Sequence, residues 1–135
     1  MLTMKYKVIY DQERDGFGLC YFINNILKDY KGLRCVYILK GNCYNPKINK
    51  LKGINPPYFD MWYQTAYVGQ TKDFCRRFKY NHKGWNLMGH EKQKILIRYV
   101  SQDESLDYIE QLYITRLKPT HNIVKKFKRF TQKKG

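Results

Sequence analysis

Acidic residues are scarce in this 135-residue sequence: 11 Asp+Glu stand against 26 Lys+Arg, a formal net charge of +15. Self-repulsion of that size calls for a polyanionic partner, and nucleic acid is the commonest one. Long apolar runs are missing too. No stretch approaches the roughly 20 apolar residues of a membrane span, so no membrane association is expected. The opening MLTMKYKVIYDQERDG turns charged after a few residues and does not read as a secretory signal. Cys20, Cys35, Cys43 and Cys75 contain no C-x-x-C pair, and His82, His90 and His121 are scattered. Zinc needs clustered ligands at characteristic spacings, so no zinc site is expected. The cysteines are expected to be free thiols in a reducing cytoplasm. Internal repeats and low-complexity linkers are also absent.

What is present suits one globular domain. The length fits a single core, and an apolar share of 43% is close to the globular norm. Residues 5–10 (KYKVIY) alternate and predict a short strand. Residues 17–30 carry Leu19, Phe22, Ile23, Ile26 and Leu27 at helical spacing, and Gly32 follows as a helix stop. RCVYILK (34–40), WYQTAYVG (62–69) and KILIRYV (94–100) predict three further strands. Asp73 predicts the N-cap of a helix over 74–83, with Phe74 and Phe78 on one face. Ser101 and Glu104 match a capping box, predicting a helix over 102–117 with an apolar stripe of Leu106, Ile109, Leu112, Tyr113 and Leu117. Pro119 stops it. Between the first two of those strands, residues 41–61 hold three of the four prolines and read as a long loop. The tail from Lys125 has six basic residues and no acid, interleaved with Phe127 and Phe130.

Four sequence features then fall in a telling order: VYI (36–38), YVG (67–69), an arginine ten residues after the second tyrosine, and E-x-x-Y-I-x-x-L-x-P-x-x-N at 110–122. In this order they resemble the GIY-YIG nuclease family, over about residues 34–124. Relatives in that family include the nuclease domain of the bacterial excision-repair incision protein, phage homing endonucleases and several restriction enzymes. The resemblance implies an α/β domain of the α+β type, with a small three-stranded antiparallel sheet flanked by helices. It divides the chain into an N-terminal extension (1–33), a nuclease core (34–124) with its loop insertion at 41–61, and a basic tail (125–135).

Residue by residue, the resemblance gives Tyr37 and Tyr67 the two motif tyrosines and Gly69 the glycine ending the second motif. Arg77 takes the catalytic arginine, Glu110 the metal-binding glutamate and Asn122 the asparagine of the closing loop. The first motif's glycine is replaced by Cys35. The family often has His or Tyr four residues after its arginine; here Asn81 holds that place, with His82 next to it as a candidate. Tyr37 and Tyr67 are thirty apart rather than about a dozen, as in the restriction-enzyme members with long insertions.

Phosphodiester hydrolysis needs an activated water, neutralised phosphoryl oxygens and a protonated leaving oxygen. With so few acids, Glu110 alone implies a single divalent cation, Mg²⁺ with Mn²⁺ as a substitute. Arg77 suits a phosphate clamp, although on a helix it could instead pair with Asp73 four residues earlier. A phenol ionises near 10 and serves as a base only beside cations; Arg77 and Lys72 could contribute. The resemblance favours Tyr37 as the base and Tyr67 as the positioner. Lys47, Lys50, Lys52, Lys79, Lys125, Lys126, Lys128 and Arg129 are candidate DNA contacts. The expected function is a Mg²⁺-dependent DNA endonuclease of restriction or phage type, in the cytoplasm of a bacterial or phage-infected cell. Cutting both strands would take a homodimer or higher oligomer, a partner or two nicks. The alternative is a non-catalytic basic nucleic-acid-binding module.

Overall fold

The computed structural model describes residues 5–44, 53, 61–81 and 87–121. They form an α+β structure built on one four-stranded antiparallel sheet. Strands β1 (Lys7–Asp11), β2 (Cys35–Tyr44), β3 (Met61–Thr71) and β4 (Glu91–Tyr99) lie in the order β1-β4-β2-β3. The N-terminal strand expected at 5–10 therefore joins the sheet as an edge, pairing with β4 (Lys7 opposite Ile97). The sheet thus has one strand more than the three expected.

Helices cover both faces of the sheet. Alternation along β2 explains how: Cys35, Tyr37 and Leu39 point to one face, Val36 and Ile38 to the other. The first face meets α2 (Leu19–Asn25), a 3₁₀ turn (Leu27–Tyr30) and α3 (Phe74–Asn81) through Phe22, Leu27, Phe74 and Phe78. The second meets α4 (Leu106–Leu117) through Leu106, Ile109, Tyr113 and Ile114. Burying a side chain of this size stabilises by roughly 1.5–3 kcal/mol, so two covered faces give a small domain a sufficient core.

Three elements differ from their sequence patterns. The segment 17–30 is not one helix. A separate turn of helix, α1 (Gln12–Asp15), is capped by the Asp11 carboxylate on the Glu13 and Arg14 amides and ends at Gly16 with φ 72°. After α2, with Asn24 and Asn25 at its end, the backbone tightens to 3₁₀ so that Leu27 reaches the core. Second, β2 and β3 run on into residues 41–44 and 61, read as loop, because cross-strand pairing from Gly41↔Gln64 to Tyr44↔Met61 overrides their Gly and Asn content. Third, α4 starts at Leu106. Its cap is Ser105, whose hydroxyl accepts from the Tyr108 amide at 3.1 Å. Glu104 accepts from the Ser101 amide, as in a capping box, and also pairs with Arg98 at 2.8 Å, but residues 101–105 form a turn and not the first turn of the helix. Among the described residues no helix is long and apolar enough to cross a membrane.

Candidate active site

Gly69 sits on β3, an edge strand, directly opposite Tyr37 of β2. A Cβ at Gly69 would stand inside van der Waals contact with the Tyr37 ring and hydroxyl. Glycine there lets the phenol lie across β3 toward the sheet edge. Tyr37 is fully buried, held between Tyr67 (ring centroids 6.2 Å) and Phe74 (5.7 Å).

Helix α3 brings the arginine. Phe74 and Phe78 stack at 5.2 Å and anchor its inner face. Arg77, one turn from Phe74, therefore projects beside the same face, and its guanidinium hydrogen-bonds the Tyr37 and Tyr67 hydroxyls. Asp73 is not its ion-pair partner. The Asp73 carboxylate accepts from the Gly32 amide at 2.9 Å and the Arg76 amide at 3.3 Å, capping α3 and tying it to the turn before β2. A guanidinium has five donors, so the bonds to two tyrosines leave some for a ligand.

From the other side of the sheet, α4 brings Glu110. Its apolar stripe is interrupted by this carboxylate, 5% exposed among Leu106, Ile109, Tyr113 and Ile114. Glu110 stands close enough to raise the Tyr37 pKa electrostatically. Gln70, next to Gly69, donates to Asp107 Oδ1 at 2.5 Å and makes a long 3.5 Å contact to Glu110 Oε1. Asp107 and Glu110, three residues apart on α4, both face Gln70. Sequence reading passed over Gln70; its place beside the motif glycine was the available signal.

Burial is the main influence on Tyr37 and pushes its pKa up, with Tyr67 adding to the rise; the Arg77 hydrogen bond and charge oppose it, and Glu110 reinforces it. Arg77 is shifted up, first by its hydrogen bond to Tyr37. The result is a phenol kept neutral by its surroundings, with one cation already aimed at its oxygen.

The remaining expectations fall as follows. Lys72 is exposed where β3 gives way to α3, and Lys79 is exposed on α3. The backbone after α4 lies along β3, with the Thr120 and His121 amides donating to Thr65 and Ala66 carbonyls, both at 3.1 Å. Asn122, which follows, lies outside the described residues, as do His82, Lys47, Lys50, Lys52, Lys125, Lys126, Lys128 and Arg129. Cys20, Cys35, Cys43 and Cys75 are free thiols; burial pushes Cys35 up to about 12.

The donor set limits what cation could sit here. Among the described residues no group of three or more His, Cys, Asp or Glu stands together. One buried carboxylate with Asp107 and Gln70 beside it does not make a dehydrated cage, but it fits a hard divalent cation that keeps most of its own waters. No protein-family model, curated protein or solved structure matches this chain.

Proposed function

We propose that this chain is a metal-dependent DNA endonuclease of the GIY-YIG type, with a restriction or phage role. One observation carries the reading: Tyr37, Tyr67 and Arg77 from one face of the sheet and Glu110 from the other converge around Gly69. Core packing alone gives no reason to bury a carboxylate within electrostatic reach of a buried phenol and to aim a guanidinium at that phenol's oxygen.

Each residue has a part in the proposed chemistry. Arg77 clamps a non-bridging oxygen of the scissile phosphate with its free donors. Tyr37 would act in the form that has first lost its own proton to solvent, a phenolate that Arg77 favours; that oxygen accepts the proton of the attacking water, and Tyr67, on the same guanidinium, orients the water. Glu110 would hold Mg²⁺, or Mn²⁺ in its place, and Asp107 and Gln70 would orient its waters. When bound, the cation supplies charge neutralisation at the phosphoryl group and the leaving 3′-oxygen. Lys72 and Lys79, exposed on the segments that carry Gly69 and Arg77, add positive charge that favours a phosphate backbone. One such site cuts one strand, so cutting both requires a dimer or two successive nicks.

The test is incubation with supercoiled plasmid and Mg²⁺, with and without chelator. Nicked or linear product only with metal supports the endonuclease. Binding without cleavage under Mg²⁺ and Mn²⁺ supports the basic binding module instead.

A further inference from the structure

At the far edge of the sheet, β1 and β4 border an open groove of about 470 Å³. Lys5, Tyr6, Lys7, Arg98, Tyr99 and Glu104 line it. Tyr6 and Tyr99 are 53% and 61% exposed, among the most exposed large apolar side chains of the described residues. Three cations against one carboxylate make the groove positive. Arg98 is held by Glu104 at 2.8 Å, so the free charge sits on Lys5 and Lys7.

The groove is built rather than loosely draped. The Tyr113 hydroxyl, from the core under α4, donates to the Lys5 carbonyl at 2.5 Å and fixes the chain before β1. Arg98 Nη1 donates to the Tyr99 carbonyl at 2.8 Å, stiffening the other wall. Exposed phenols on a fixed backbone, interleaved with free ammonium groups, match what a single nucleic-acid strand asks for: faces for unpaired bases and charges for phosphates. A double helix keeps its bases stacked on each other and would use only the lysines.

The groove also lies on a line with the candidate active site. Cross-strand register runs Lys7–Ile97–Tyr37–Gly69, one row across all four strands. Three interstrand spacings separate the edges, roughly 14 Å, a distance that a few nucleotides of one strand can span.

We infer that the groove between Tyr6 and Tyr99 binds a single strand of nucleic acid, stacking unpaired bases on the two phenols and neutralising phosphates with Lys5 and Lys7. In the nuclease reading, on which its biological role rests, this favours substrates with an unpaired strand a few nucleotides from the cut.

The experiment measures binding of a short fluorescein-labelled oligothymidylate to the full chain, by anisotropy, in chelator so that no cleavage enters. Tyr99→Ala should weaken binding about tenfold, since base–aromatic stacking is worth roughly 1–3 kcal/mol. The paired variant Lys5→Ala/Lys7→Ala should flatten the salt dependence by roughly 0.7 per lysine in log–log slope. Tyr21→Ala removes a comparably exposed tyrosine (52%) on α2 and should change neither. Wild-type affinity in Tyr99→Ala, or an equal loss in Tyr21→Ala, would overturn the assignment. Because binding is read without metal, a chain that never cuts DNA can still pass or fail this test.

Discussion

The ring of Tyr37 occupies the space that a side chain on Gly69 would need, and the two residues are direct partners in the β2–β3 register. The candidate site depends on this relationship, because it carries a buried phenol to the edge where Glu110, Arg77 and Tyr67 also arrive.

Gly69→Ala should therefore be costly. Its methyl group forces the Tyr37 ring out of place, and overpacking of this kind typically destabilises by about 1–3 kcal/mol. Urea unfolding would measure it. Tyr37→Phe, which keeps the ring, should unfold close to wild type, yet abolish cleavage. Wild-type stability of Gly69→Ala would mean that the ring lies elsewhere.

Arg77 opposes the upward pull of burial on the Tyr37 hydroxyl. Its removal should raise the Tyr37 pKa further. In the proposed mechanism the cleavage rate rises with pH as Tyr37 becomes a better base, and Arg77→Ala shifts that rise to higher pH while lowering the rate. A pH–rate profile for each variant checks this; a profile that keeps its shape in both Arg77→Ala and Tyr37→Phe would remove Tyr37 from the proton transfer.

Asp73 and Arg77 should contribute to stability independently. Asp73 caps α3, and loss of an N-cap costs about 1 kcal/mol, within a range of 0.5–2; the Gly32 amide loses its acceptor as well. Asp73→Ala should lower the melting temperature. Arg77→Ala takes a hydrogen-bond partner from the buried Tyr37 hydroxyl and should lower it too, while cleavage falls; the two losses should add in the double variant. Losses that fail to add would restore the simple helical ion pair.

Acid stability offers a check far from the site. The Arg98 guanidinium and the Ser101 amide hold the Glu104 carboxyl down at about 2, from an ordinary 4.5. A depressed carboxyl contributes stability that is complete above the unfolded value and is lost as pH falls through the folded one. The contribution should thus fade between pH 4.5 and about 2. Glu104→Gln should show a shallower loss over that window in thermal melts; an identical acid profile would contradict the pairing.

Much of this was legible in one sequence, for local reasons. Alternation in KYKVIY and RCVYILK marked strands, Asp73 marked its own cap, and Phe74 with Phe78 marked the inner face of α3. What escaped was set by partners distant in sequence. Nothing local says that Lys7 lies opposite Ile97, so the fourth strand of the sheet was read as an extension. Gly41 and Asn42 looked like loop because their strand character comes from pairing with β3. Ser101 and Glu104 make the capping-box bond that their spacing suggests, but the helix starts later, behind the Ser105 cap. At the site, the motif residues could be named, whereas the partners of Gln70, Asp107 and Glu110, lie far along the chain on α4 and no local pattern pairs them with it.

The most direct test of the account is Glu110→Gln. The amide nearly matches the carboxylate in shape and can still meet Gln70, so fold and metal-free DNA binding should stay at wild-type levels while Mg²⁺-dependent plasmid cleavage disappears. A variant that cuts plasmid at the wild-type rate would contradict the account at its centre.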